Sequence, residues 1–377
     1  MAIRFEIRPA VEEDLGALHA LIKDTPQAGE ICLNFERAPD FFHGTGVTTQ
    51  HPEVWVMNDL KTHRLAGVFS IGHRDVYCNG TRQSIRYGND LRIHPDYQGG
   101  RTLFRLFSQY RKIMQQDWMQ TIILSDNTQS LNTVGSGRAN LPVYFPYGTL
   151  HTHMVYLRRP RRGLRNLARN SKYRIRRAQP GDIERMQDYF NCEAPKRQFY
   201  PHYEFSQLET GDGYYRDLKL SDYFLVFQEN ELLGITGVWD QKEFKQTRVI
   251  DYQGKMKLLR HVNNMQSLFF GGLTLPSPGK TLNYLLIHTV LIKNDVPEVF
   301  EALFAFIFNE YSASKRSQAG KYNALICGLS PDDPLTPVLR HYRRQVVTSK
   351  HFIASYGEDP RPGFDANRQL YLEAARL

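Results

Sequence analysis

Cysteine is scarce in this chain: Cys32, Cys78, Cys192 and Cys327 are the four in 377 residues. They lie far apart and form no CxxC or Cys/His spacing. This pattern excludes a disulfide framework and a zinc site, and it is the usage expected of reduced thiols in a cytoplasmic protein. No run of about 18 apolar residues occurs, so no membrane-spanning helix is predicted. The start, Met1-Ala2-Ile3-Arg4-Phe5-Glu6, lacks the apolar core of a signal peptide. Nucleophile-elbow and Walker patterns are missing as well. His151-Thr152-His153 puts two imidazoles on one strand face, but no third ligand accompanies them, so no metal is expected.

Acidic residues are absent from one stretch. Between Arg158 and Arg177 there are ten Lys/Arg and no Asp/Glu. The net charge is +9, so the rest of the chain carries 9 − 10 = −1. The basicity is therefore local. It fits a solvated interdomain linker, or a surface for RNA, an anionic membrane face or an acidic substrate. Hydrophobic residues make up 41% of the chain, enough to bury real cores, and the length calls for two domains.

The two domains are visible as a repeat. Ile7-Arg8-Pro9-Ala10, then Asp14-Leu15, is answered by Ile175-Arg176-Arg177-Ala178, then Asp182-Ile183, at an offset of 168. Leu65-Ala66-Gly67-Val68 is answered by Leu232-Leu233-Gly234-Ile235 at an offset of 167. Two matches at nearly one offset indicate duplication. The apolar strand Ile122-Ile123-Leu124 pairs with Leu325-Ile326-Cys327 at an offset of about 203, which places an insert in the second copy near residues 240–281. Each copy reads as strand, helix, antiparallel meander, helix, strand, short helix and closing strand. The Asn79-Gly80 pair marks a tight turn inside the first meander.

One segment carries chemistry. In Leu91-Arg92-Ile93-His94-Pro95-Asp96-Tyr97-Gln98-Gly99-Gly100-Arg101-Thr102-Leu103, a strand ends in a proline, and a glycine-containing loop leads directly into a helix. Glycine admits close approach of a ligand to the backbone. The unpaired N–H groups and dipole of the helix start favour an anion, so the apparatus suits a pyrophosphate.

This segment resembles the acyl-CoA loop of the GNAT (GCN5-related N-acetyltransferase) superfamily, in which a strand ending V-x-P-x-Y runs into Q/R-x-x-G-x-G/A and a helix. Ile93, Pro95, Tyr97, Gln98 and Gly99 match. Arg101 stands where that family prefers Gly, and Leu103 where it prefers Gly or Ala. The resemblance implies an α+β (mixed α/β) fold of two GNAT-like domains, each a mostly antiparallel sheet splayed between its fourth and fifth strands, with helices on both faces. The domains are expected at residues 1–158 and 173–377, with a basic linker at 159–172. The implied activity is an N-acyltransferase that moves an acetyl or other acyl group from acetyl-CoA, or another acyl-CoA, to an amine on a small molecule or peptide.

By position, the resemblance gives Leu91 and Ile93 the pantetheine arm, Gln98, Gly99, Gly100, Arg101, Thr102 and Leu103 the pyrophosphate, and Asn127 a place near the cofactor arm. Direct attack by an amine needs a base and an acid for the departing thiolate. Asp90 is the expected base, with Tyr87 a weaker alternative. Tyr144 is the expected acid, with Tyr147 its rival. The second copy has Lys293-Asn294-Asp295-Val296 in place of the glycine loop, so it is expected to be a degenerate partner that shapes the substrate cleft; its Tyr342 stands where the acid tyrosine belongs. Two other readings stay open. One is an inactive GNAT-fold protein that binds RNA or a partner through the basic segment. The other is an aminoacyl-tRNA-dependent transferase.

Overall fold

The computed structural model describes residues 4–27, 29–99, 101–115, 117–137, 140–157, 172–257, 260, 264, 275–313 and 322–377. In the first copy the strands are β1 (Phe5–Pro9), β2 (Ile31–Glu36), β3 (His51–Asp59), β4 (Arg64–Cys78), β5 (Thr81–Ile93), β6 (Trp118–Leu124) and β7 (Val143–Tyr156). The helices there are α1 (Leu15–Asp24), α2 (Phe41–Gly46), α3 (Thr102–Met114) and α4 (Thr128–Val134). The second copy holds β8 (Arg174–Arg177), β9 (Tyr200–Pro201), β10 (Tyr223–Gln228), β11 (Glu231–Trp239), β12 (Gln246–Tyr252), β13 (Tyr284–Ile292), β14 (Ala324–Leu329) and β15 (Arg344–Ser355). Its longer helices are α5 (Ile183–Glu193) and α6 (Pro297–Ala313). No helix of the described residues is long and apolar enough to cross a membrane.

Period-two alternation sends successive residues of the meander to opposite faces. Val54, Val56 and Val68 pack against Leu18, Leu21 and Ile22 of α1. Met57, Phe69 and Ile71 pack against Leu106, Phe107 and Tyr110 of α3. Helices thus cover both faces. At the β4–β5 hairpin Asn79 and Gly80 both take positive φ, 54° and 84°, as a tight hairpin turn requires.

The two splayed sheets are joined. Twelve strands run in the order β1-β3-β4-β5-β6-β15-β7-β14-β13-β11-β10-β8, with β9 attached to β4. The copies exchange their closing strands. β15 of the second copy lies between β6 and β7, and β7 of the first copy pairs with β14. A cut at the basic segment therefore separates each closing strand from the sheet that it completes. Residues 158–171 of that segment lie outside the described residues.

The expected insert near 240–281 contains β12, which pairs with β2 in a separate two-stranded sheet. Leu33 and Val249 of this ribbon pack with Met154 and Tyr156 of β7. Arg248 Nε meets Glu36 Oε1 at 2.7 Å across it. The Gly271-Gly272 pair lies outside the described residues.

The duplication is also legible in side chains. Arg8 grips Asp14 with Nη1 at 2.7 Å and Nη2 at 2.9 Å, and Asp14 also accepts the backbone N–H of Val11. Arg176 grips Asp182 at 2.6 and 2.7 Å, and Asp182 accepts the N–H of Gln179. In both copies a strand arginine and a helix-start aspartate lock the first crossover.

Candidate functional site

β5 and β6 run parallel for two register pairs, Arg86↔Met119 and Tyr87↔Gln120, and then part. Leu91 and Ile93 on one lip, and Ile122, Ile123 and Leu124 on the other, stay half-buried. Just above the fork a bulge interrupts the β4–β5 ladder. The register passes from Val68↔Arg92 to Ser70↔Asn89, so Asp90 and Leu91 stand opposite Phe69 alone. Asp90 takes φ 52°, a left-handed conformation uncommon for a residue with a side chain.

The loop that follows is anchored on both sides. Tyr97 donates its hydroxyl to Asp59 Oδ2 at 3.0 Å, and its ring meets Phe5 edge-on at 6.1 Å. Arg4, with help from the Lys61 N–H and Tyr97, holds the buried Asp59 carboxyl well below the usual carboxylate range. Gln98 donates to the Ile93 carbonyl at 3.2 Å and accepts from Gln129 of α4 at 3.4 Å. Gly99 has φ 74°, with nothing within 4 Å of where a Cβ would stand, and α3 begins at Thr102. An open glycine turn thus leads to a helix N-terminus at the mouth of the fork.

No family model and no curated relative matches the sequence. Solved structures do match the fold. Yeast N-myristoyltransferase (Saccharomyces cerevisiae) with bound myristoyl-CoA superposes with TM-score 0.58 at 11% identity, over 99% of this chain and 90% of that one. A GCN5-related N-acetyltransferase from Sphaerobacter thermophilus gives 0.54 at 12% identity, over 95% and 98%. The GCN5-related glucosamine N-acetyltransferase region of a fungal multi-domain GH3 beta-N-acetylglucosaminidase gives 0.60 at 10% identity, over 93% of this chain and 38% of that longer one. The chain carries a tandem GNAT fold.

Within this GNAT frame the expected site residues fall as follows. Leu91, Ile93 and Leu103 share one cluster with Tyr97 and Tyr144 on the α3 face. Gln98, Gly99 and Arg101 are exposed at the mouth, and Thr102 is buried in the first turn of α3. Gly100 lies outside the described residues. Asn127 uses its side-chain oxygen to cap α4, accepting the Ser130 N–H at 3.0 Å.

The rival tyrosines separate. Tyr144 lies on the α3 face with its ring edge-on to Phe352 at 6.0 Å. Burial, with a smaller push from Tyr356, raises its phenol pKa, so Tyr144 stays protonated and able to donate at neutral pH. Tyr147 packs on the other face, 5.4 Å from both Phe199 and Phe364, its phenol pushed up to about 12 chiefly by burial. Tyr87 is buried beneath the Arg74 guanidinium, which sits 3.8 Å from its ring centre.

Asp90 is held by a residue that sequence reading missed. Arg37 donates Nε at 2.9 Å and Nη2 at 2.6 Å to Asp90 Oδ2, which also accepts from Asn89 Nδ2 at 2.9 Å. Both partners are under a tenth exposed. Arg37 follows β2, a stretch without a periodic signal.

The second copy repeats the bulge and fills it. The β11–β13 register slips between Ile235↔Leu291 and Gly237↔His288, and Thr289 takes φ 51°. Glu373 Oε2 accepts the Thr289 N–H at 2.8 Å and the Tyr371 hydroxyl at 2.9 Å, while Tyr371 Oη accepts the Val290 N–H at 3.1 Å. Residues 285–292 and 324–329 are all buried, so no groove opens between these strands. In place of the glycine loop, Asp295 pairs with Arg197, which also grips the buried Asp333 at 2.6 Å. Tyr342 packs against Phe304 and Phe308. His153 accepts from Arg344 Nε at 3.1 Å; burial and that cation lower its pKa to about 4. Among the described residues no three metal-ligating side chains come together.

Proposed function

We propose that this protein is a CoA-dependent N-acyltransferase with one donor site, in the first copy, and a second copy that shapes the acceptor cleft. The observation that carries the reading is the contrast between the forks: the β5/β6 fork is open and half-buried, and the β13/β14 fork is filled. The residues of the open fork fit an acyl-CoA. Gly99 leaves room for a diphosphate at the start of α3, and Leu91 and Ile93 present a half-buried strand edge to an extended arm. The co-substrate supplies a thioester carbonyl for direct attack by an amine.

The chain's own groups would then do three things. The splayed edge of β5 orients the arm through its backbone. Asp90 accepts a proton from the incoming amine through Oδ1, because Arg37 and Asn89 both bind Oδ2. Tyr144 donates a proton to the departing thiolate. Each such proton transfer contributes about 10²–10⁴-fold in rate.

Thermal unfolding with acetyl-CoA, a long-chain acyl-CoA and free CoA tests the donor site. A ligand at 100 times its Kd stabilises the fold by about 2.7 kcal/mol. No shift with any of the three would remove the donor site and the reading with it. If a shift is seen, Asp90→Asn and Tyr144→Phe are expected to keep it while lowering turnover of an amine acceptor by about 10²-fold or more.

A further inference from the structure

Around the Asp90 bulge the polar groups do not balance. Ser70 and Arg92 stand on the same face of the β4–β5 ladder, at the registers that flank the bulge. Ser70 is 2% exposed and its hydroxyl has no partner. Arg92 gives Nη1 to the Leu91 carbonyl at 3.3 Å, but its buried Nε has no acceptor. Arg37 uses Nε and Nη2 on Asp90, and its buried Nη1 has none. Gly44 is required beside it, since a Cβ there would come within 2.8 Å of Arg37 Cδ. These three gaps hold among the described residues.

The charges do not balance either. Arg92 lies within electrostatic reach of both Asp90 and Arg37, and Lys245 does too. Lys245 Nζ is answered by the Leu377 main-chain oxygen at 2.5 Å. Arg74 holds the carbonyls of Thr48 at 2.9 Å and Arg376 at 2.6 Å. Among the described residues Asp90 is the carboxylate that pairs here, against Arg37 and Arg92. Guanidinium groups only donate, so an orphaned buried N–H calls for an acceptor oxygen. A water could close the hydrogen bonds but would leave the charge, whereas a carboxylate answers both.

We infer that one of the two substrates carries a carboxylate, received beside the Asp90 bulge by Arg37 Nη1, Arg92 Nε and Ser70 Oγ. The inference rests on the acyl-transfer reading above and names the substrate class for it. Two sources share this chemistry: the distal carboxylate of a dicarboxylic acyl donor, and the carboxylate of an amino-acid acceptor. A plain alkyl chain in this place would leave all three groups unpaired.

The experiment is ligand binding by thermal shift, with free CoA as the baseline. One arm compares succinyl-CoA with acetyl-CoA. The other compares amino acids with their own carboxamides, in the presence of free CoA. In one arm the carboxylate member is expected to bind at least 10-fold more tightly, and that arm names the source. Arg92→Met should cut the preference to under about 2-fold while free CoA still binds; Ser70→Ala, which leaves every cation in place, should halve it or more. A protein that binds CoA but shows no carboxylate preference in either arm overturns the inference and leaves the acyl-transfer reading standing. A preference that survives both substitutions also overturns it. Loss of all CoA binding in the unaltered protein overturns the reading and the inference together.

Discussion

The carboxylate of Glu373 accepts the backbone N–H of Thr289 at 2.8 Å, at the bulge where the first copy has Asp90. The same carboxylate takes the Tyr371 hydroxyl, and Tyr371 in turn takes the Val290 N–H. The segment that follows β15 therefore supplies the second bulge with its hydrogen-bond acceptors. Burial pushes the Glu373 carboxyl pKa up, the cost of holding a carboxylate in that place.

Replacing Glu373 by Ala strands the N–H groups of Thr289 and Ala375, which it accepts at 2.8 and 3.3 Å. Each buried orphan costs about 1–3 kcal/mol, so a loss of roughly 2–6 kcal/mol is expected in urea unfolding. Glu373→Gln keeps one carbonyl oxygen and should lose less. Equal losses for the two variants would show that charge, and not hydrogen bonding, holds the segment.

Gly99 offers a sharper test of the first copy. Its φ of 74° strains any other residue by about 1 kcal/mol, and the space around it is open. Gly99→Asp should therefore leave the fold nearly as stable while placing a carboxylate at the start of α3, where it repels phosphate. The predicted outcome is an unchanged transition without ligand and a lost acyl-CoA shift. An acyl-CoA shift that persists in this variant places the diphosphate elsewhere.

The parts of this molecule that were legible in the sequence are the local ones. Gly99, the proline-terminated strand and the helix start lie within ten residues of each other, so their joint geometry is written in order. The Arg8–Asp14 and Arg176–Asp182 locks span six residues each and showed as a repeat. Tyr144 and Tyr147 differ by three residues, which puts them on opposite strand faces, but nothing local says which face meets α3. Arg37 reaches Asp90 across 53 residues, and β12 finds β2 across more than 200. Asn127 shows a different limit: its position was visible, but the cap it makes for α4 depends on the turn that precedes it.

The paired locks give a matched prediction. Asp14→Ala and Asp182→Ala each remove a two-pronged arginine contact and a cap on a backbone N–H. The arginines are about a third exposed, so the ion pairs themselves count for little, and most of the loss comes from the cap, about 1 kcal/mol at each site. The sites are far apart, so the double variant should lose the sum within about 0.5 kcal/mol. Both aspartates have pKa values lowered by their arginines; this stabilisation is present above the unfolded carboxylate pKa of about 4 and fades as pH falls below it.

His351 adds a second pH dependence, at higher pH. Its ring is fully buried against Tyr147 and Phe199, and burial, followed by the charge of Arg74, lowers its pKa to about 3. The unfolded chain protonates this histidine below about 6.5 and the folded chain does not. Stability is therefore full above pH 6.5 and falls as pH drops towards 3, by roughly 3 kcal/mol on reaching pH 4. His351→Phe keeps the volume and removes the titration, so its stability should change less between pH 7 and pH 4 than that of the unaltered protein. Identical slopes would mean that His351 finds a proton acceptor in the fold.

The exchanged strands make the strongest prediction about architecture. β15 pairs with β6 from Ser349↔Leu124 to Ser355↔Trp118 and with β7 along its whole length, while β7 also pairs with β14 from Ala324↔Tyr156 to Leu329↔His151. A first copy ending at residue 157 would keep β7 but lose the strand that joins it to β6, and a second copy starting at residue 172 would lose the strand between β14 and β15. Each fragment would then expose a sheet edge with an apolar run, Ile122 to Leu124 of β6 or Ala324 to Cys327 of β14, an invitation to aggregate. We expect neither fragment to give a cooperative unfolding transition alone. Expressed together, they should assemble into a complex that unfolds in one transition whose midpoint rises with concentration, because the ladder then forms between chains. Independent, cooperative folding of either fragment would mean that its fork closes without the exchanged strand, and that the two copies are separable domains after all.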